Sequence, residues 1–255
     1  MAPRSLLTAV LVGLSGATVL GLAGCAPEPA SSAGAIDTGW FTSTPGEEIL
    51  SAAAETMQSA TSFLLEQRAR SEEGVLSKQL SVTDSGDCSG ELQLPAWGEP
   101  AELVVRDGEG AFRGDRSFWS TFGDDVGARA GLADAYGERW TTTPGLAALC
   151  DVEELLRPVV KASRAEAITK DGLGDVDGAP AGRVVTERGE AVVTLWVALA
   201  EPHQVLRIGV QHSSDGAPLE EPGDSVTTFA DLDAPVEVDF PAPEDIETFA
   251  LPEDS

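Results

Sequence analysis

The chain has 255 residues, 42% hydrophobic and 23% charged, with 27 Gly and 16 Pro, the make-up of a folded body with turns and not of a disordered tract. Its 43 Asp and Glu against 16 Lys and Arg leave a formal charge of -27, which repels phosphate backbones and anionic head groups and excludes nucleic-acid binding. Lysine occurs only at Lys78, Lys161 and Lys170, and no basic run exists to clamp a phosphate or a membrane surface.

Residues 1–24 read as a lipoprotein signal peptide: Arg4 supplies a minimal positive start, and 6–20 form an uncharged stretch of mainly Leu, Val, Ala and Gly. The stretch is too short and Gly-rich for a spanning helix, and no second apolar span of about 18 residues follows. It ends in Leu22-Ala23-Gly24-Cys25, a lipobox in which small residues precede a lipidated Cys25. The membrane is therefore an expected partner, on the extracytoplasmic face, with each buried acyl methylene contributing about 0.8 kcal/mol of anchoring. Residues 25–45 are rich in Ala, Pro, Ser and Gly and read as a flexible tether with a reach of about 25 Å.

From 46 to 60 the apolar Ile49, Leu50, Ala53, Met57 and Ala60 recur at helical spacing between polar residues, which predicts an amphipathic first helix. The period then changes to two. Phe63 and Leu65, then Leu76, Leu80 and Val82, then Cys88, Leu92 and Leu94 predict three half-buried strands, with turn chemistry at Ser71-Glu72-Glu73-Gly74 and Asp84-Ser85-Gly86-Asp87. Leu103, Val104 and Val105, the turn Asp107-Gly108-Glu109-Gly110, and then Ala111 and Phe112 predict a further hairpin. Phe118 to Ala133 keeps an approximate helical period that Gly123, Gly127 and Gly131 weaken, and Gly137 to Trp140 starts another strand or turn. After Cys150, Asp151 and Glu154 resemble a capping box, and Val152, Leu155, Leu156, Val159 and Val160 share one helix face.

The last third returns to strands at 183–186, 191–199 and 204–210, the last with Leu206, Ile208 and Val210 on one parity. Residues 226–230 read as an edge strand, and 241–255 as an acidic, Pro-rich tail.

Three cysteines divide by arithmetic. With Cys25 lipidated, Cys88 and Cys150 remain as an even pair in an exported chain and are expected to form a disulfide. No metal and no cofactor are expected: two Cys without CxxC spacing and only His203 and His212 make no zinc set. The Asp171 to Gly178 run, DGLGDVDG, lacks the acidic twelfth position of a calcium loop and reads as a solvated turn. Neither histidine has a nucleophile motif beside it, so no catalytic residue is named and no enzymatic activity is expected.

The order of parts resembles actinobacterial exported lipoproteins of the LppX/LprG type, related in fold to the LolA/LolB lipoprotein carriers. The likeness rests on Leu22-Ala23-Gly24-Cys25, Ala60-Thr61-Ser62-Phe63, Gly86-Asp87-Cys88-Ser89-Gly90, Phe118-Trp119, Arg139-Trp140, Trp196-Val197, Glu201-Pro202-His203 and Leu206-Arg207-Ile208. It implies an α+β domain over 46–240: a strongly curved antiparallel sheet, a half-barrel, with helices packed on its concave face. It also implies an apolar cavity that binds, and carries, a lipid or lipidated molecule. The inward-facing set expected to line it is Ile49, Met57, Phe63, Leu65, Leu80, Val82, Leu103, Val105, Leu206 and Ile208. Trp97, Trp119, Trp140 and Trp196 are candidates for its mouth. Each of these alone is also an ordinary core residue, so the expectation concerns the set. The alternative is a non-catalytic envelope interaction module with a packed core and an acidic binding surface.

Overall fold

Asp37 opens the first helix, α1 (Thr38–Ser43), where its carboxylate accepts from the Trp40 N–H at 2.8 Å. The structure is a computed structural model describing residues 36–71, 74–94, 99–123, 125–189, 191–212 and 225–249. The signal sequence, Cys25, the tether through residue 35, Trp97 and residues 250–255 lie outside them. Residues 36–45, which read as the end of the tether, are therefore not all linker: they contain α1, and its Phe41 is buried. The second helix, α2 (Gly46–Ser59), carries Glu47 and Glu48 in its first turn, where the helix dipole favours negative charge. It buries Ile49, Leu50, Ala53, Ala54 and Met57.

Five strands follow: β1 (Ser62–Ser71), β2 (Gly74–Thr83), β3 (Cys88–Gln93), β4 (Ala101–Arg106) and β5 (Glu109–Arg113). The glycine-weakened helical region resolves into α3 (Arg116–Trp119) and α4 (Val126–Tyr136), capped by Asp115 and Asp125. β6 (Trp140–Thr142) and a short 3-10 turn lead to α5 (Val152–Ala162). Asp151 caps α5 by accepting from the N–H groups of Glu153 and Glu154, but Glu154 pairs with Arg157 at 2.6 Å and does not complete a capping box. The rest is β7 (Ile168–Val176), β8 (Ala179–Arg188), β9 (Ala191–Ala198), β10 (Val205–His212), β11 (Ser225–Ala230) and β12 (Ile246–Thr248).

Among the described residues these form one twelve-stranded sheet in the order β12-β6-β5-β4-β3-β2-β1-β11-β10-β9-β8-β7. The pairings are antiparallel apart from β12 with β6. The sheet is strongly curved and unclosed, and the helices pack on its concave face, with α2 against α5 and over β7, β9 and β10. The fold class is thus α+β, as expected.

Three expectations change. β11 is not at an edge: it lies between β1 and β10 and joins the two halves of the sheet. Residues 171–178 are not a free turn, because they form most of β7 and its hairpin. There Asp171 pairs with Arg183 at 2.8 Å and Asp177 with Arg207 at 3.1 Å. Residues 246–249 of the expected tail join the body through β12 and the buried Phe249.

The concave face carries the main core. Ile49, Met57, Phe63, Leu65, Leu80, Val82, Leu103, Val105 and Ile208 all belong to it, each at most 2% exposed. Leu206 does not. A β-bulge shifts the register from Val205↔Val197 to Arg207↔Trp196, so Leu206 is the unmatched residue. It turns to the other face and packs with Val176, Ala181 and Trp196. The Cys88–Cys150 disulfide, with Cα atoms 6.1 Å apart, ties β3 to the turn that precedes α5.

Candidate functional site

Nine of the ten residues expected to line a lipid-sized hollow lie in the concave core, where they pack against one another. Ile49, Met57, Phe63, Leu65, Leu80, Val82 and Ile208 each keep at most 2% of their surface exposed. Ile49, Leu50 and Met57 of α2 belong to one core cluster with Phe63, Leu65, Leu80 and Phe229 of the sheet. Leu103 borders an open apolar pocket, and Val105 a more polar surface hollow beside Gly86, Ala147 and Val152.

That pocket lies at the β3–β5 side. Leu92, Ala101, Leu103 and Phe112 come from the strands, Phe122 from the segment after α3, Leu146 from the 3-10 turn and Phe249 from the chain beyond β12. The Phe249 N–H donates to the Thr142 carbonyl at 2.8 Å, which fixes the backbone that presents the ring. The cavity measures about 160 Å³, and Glu102 and Thr143 are its polar neighbours. Glu102 is held by Arg113 at 2.5 Å. An apolar cavity of about 150 Å³ holds a benzene molecule, so this one takes about six carbons. It is apolar enough to hold them dry and too small for a whole lipid.

Aromatic packing builds the wall behind the pocket. Trp119 is fully buried, with Phe112, Phe122 and Phe249 at 5.4, 5.7 and 5.1 Å between ring centroids and Tyr136 at 4.9 Å. Its indole N–H has no hydrogen-bond acceptor among the described residues. Of the tryptophans considered for a mouth, Trp119 alone stands at this wall; Trp140 lies under Arg113, and Trp196 packs on the opposite face near Arg207. Phe122, Leu146 and Phe249 were not singled out in the sequence. Phe249 sits in an acidic, Pro-rich segment, and its one signal is a large apolar residue where solvation is expected.

On the parity opposite the core, β1, β2 and β3 carry a polar hollow of about 190 Å³ bordered by Glu66, Arg68, Ser77, Gln79, Glu91 and Gln93, while Gln67 and Lys78 of the same strands stand on the parity of the apolar pocket. Gln67 donates to Thr227 Oγ1 at 3.1 Å. Lys78 has no hydrogen-bond or ion-pair partner among the described residues, and burial holds its ammonium below the usual value of 10.5. The folded pKa thus lies below the unfolded one. Charge on Lys78 therefore opposes folding fully below its folded pKa, and the penalty fades as the pH rises from there toward the unfolded value.

His203 has a structural post. Its ring stacks on Trp40 at 3.7 Å and 3° between planes, and its Nδ1 lies 3.1 Å from the Ala198 carbonyl. Lys170 completes the lashing of α1 by donating to the carbonyls of Phe41, Thr42 and Thr44 at 3.0, 2.8 and 2.9 Å. Phe41 lies over Gly182, where a Cβ would meet its ring at 2.1 Å.

Among solved structures the chain is similar to LprF from Mycobacterium bovis, with a TM-score of 0.51 at 13% identity over 77% of this chain and 97% of that one. An uncharacterized conserved protein from Thermus thermophilus follows at a TM-score of 0.39 and 11% identity, covering 80% and 98%. A LolA superfamily protein from Nitrosomonas europaea gives 0.23 and 10%, covering 74% and 93%. No protein-family model and no curated sequence matches. The chain shares the fold of LprF, which meets the resemblance read from its layout.

Proposed function

We propose that the chain is an exported lipoprotein, anchored through Cys25, whose body binds the apolar end of an amphiphile in the pocket between β3–β5, Phe122 and Phe249. The observation that carries this reading is the pocket's lining: Leu92, Ala101, Leu103, Phe112, Phe122, Leu146 and Phe249 offer about 160 Å³ of open apolar space. Leaving such a surface wet costs about 25 cal/mol per Å², which a hydrocarbon tail recovers on entry. The shared fold with LprF and the lipobox support the same reading. Among the described residues no helix is long and apolar enough to cross a membrane. Binding and display of a lipid near the bilayer, without chemistry, is the role we assign.

Ala101 faces the pocket with a single methyl group and tests the reading directly. Ala101→Trp fills the space and is expected to weaken binding of toluene, followed by isothermal titration calorimetry, at least about tenfold, with the circular dichroism spectrum unchanged. Equal titrations for the two proteins, or no saturable binding by the parent, would reject the pocket. The packed core under α2 favours the second reading, an interaction module, and absence of binding by the parent protein would leave that reading standing.

Anchoring is tested separately. Cys25→Ala is expected to move the protein from the membrane to the soluble fraction, because the substituted residue has no thiol to receive acyl chains. Membrane retention equal to that of the parent would reject the lipobox.

A further inference from the structure

The cross-strand register sets one row of side chains on the concave parity. Thr227 lies opposite Ile208 on one side, Gln67 opposite Lys78, Lys78 opposite Leu92, and Leu92 opposite Ala101. Residues directly opposite share a face, with Cβ atoms about 5 Å apart. The row therefore passes from polar (Thr227, Gln67, Lys78) to apolar (Leu92, Ala101), and its apolar members line the pocket. Lys78 and Ala101 are two strand spacings apart, about 10 Å, and the lysine stem is long enough to bring its ammonium to the pocket's edge.

Among the described residues Arg68, Arg70, Arg106, Arg129, Lys161 and Arg164 have no carboxylate partner but are exposed, whereas Lys78 is half-buried. Acidic residues outnumber basic ones 43 to 16, so a lysine would be expected to find a carboxylate. Arg113, Arg116, Arg139, Arg157, Arg183 and Arg207 all do. Lys170 is spent on the carbonyls at the end of α1. Lys78 is half-buried and unpaired among the described residues. Glu66, Glu91 and Arg68, which border the polar hollow, are exposed and stand on the opposite parity of their strands. Glu66 also accepts from Gln79 Nε2 at 3.1 Å.

We infer that the ligand of the apolar pocket is an anionic amphiphile with a single hydrocarbon tail, its carboxylate or phosphate head held by Lys78 and its tail lying over Leu92 and Ala101 into the cavity. This rests on the proposed pocket and names the class of molecule that fills it. A neutral lipid would leave the ammonium buried and unpaired, whereas an anionic head supplies the missing partner with a charge-assisted hydrogen bond. Burial alone holds the ammonium below its ordinary value. The net charge of -27 disfavours non-specific adsorption of an anion elsewhere on the molecule.

The test is isothermal titration calorimetry of the full chain with decanoate, monodecyl phosphate and 1-decanol, which share a tail and differ in head. At least one anionic probe is expected to bind about tenfold more tightly than decanol, the size of one charge-assisted hydrogen bond. Lys78→Met keeps the stem, removes the charge and should bring that probe down to the decanol value, while Lys78→Arg retains the preference. The melting temperature of Lys78→Met at neutral pH should be no lower than that of the parent, since a buried unpaired charge is removed. Equal binding of all three probes to the parent overturns the headgroup inference and leaves the pocket intact. Loss of anion and alcohol binding together in Lys78→Met, with its melting temperature unchanged, also overturns it. No saturable binding of any of the three probes rejects the pocket itself. A preference for phosphate over carboxylate, or the reverse, supports the inference and identifies the head.

Discussion

Replacing both members of the disulfide, as Cys88→Ala with Cys150→Ala, is expected to lower the stability of the protein by about 4 kcal/mol. The bridge spans a sequence separation of 62 residues. Closing a loop of that size removes much of the unfolded chain's entropy. Both cysteines are wholly buried, so the deleted sulfurs add a packing loss. The loop contains β4 and β5 and eight of the nine residues that line the pocket, all but Phe249. The urea midpoint of the double variant should fall well below that of the oxidised parent, and the parent in reductant should approach it. A midpoint that ignores both the substitution and the reductant would refute the stabilising role.

A single methyl group in β3 has an effect of similar size. Gly90 sits between Leu80 of β2 and Leu103 of β4 with φ at +157°, and a Cβ there would lie 1.9 Å from the backbone oxygen of Gln79. A backbone oxygen inside a ladder cannot swing aside as a side chain can. Gly90→Ala therefore has to open the β2–β3 pairing, at an expected cost of about 3 kcal/mol or more. Gly108→Ala is the matched control: its φ of +79° is also unfavourable, but nothing lies within 4 Å of the added carbon. It should cost about 1 kcal/mol. Equal melting temperatures for the two variants would show that β3 tolerates the displacement.

What could be read from the chain followed from periodicity. α2 and α5 announce themselves by apolar residues at i, i+3 and i+4, and β1 to β5 and β8 to β10 by alternation, so the α+β class and the members of the concave core were legible. Short or edge elements were not. α1 has six residues in a run of Gly, Ser and Thr, and Asp37 is its only start signal. β7 is an edge strand with a register shift between Lys170 and Leu173, so exposure replaces alternation along it. The bulge at Leu206 breaks the parity on which its inward assignment depended. Which core residues border open space is a question of volume, and one-dimensional spacing carries no volume; that is why Leu103 was found and Phe122, Leu146 and Phe249 were missed.

The central place of β11 governs when the chain can be completed. Gln67 in β1 bonds to Thr227 in β11, 160 residues later. However the chain emerges, from a ribosome or through a translocon, its amino-terminal strands arrive first. At about 5–20 residues per second the wait for β11 is on the order of 10 s. For that interval β1 offers an open ladder, and β10 does the same once it forms, so these two rims are the surfaces a holding chaperone has to cover.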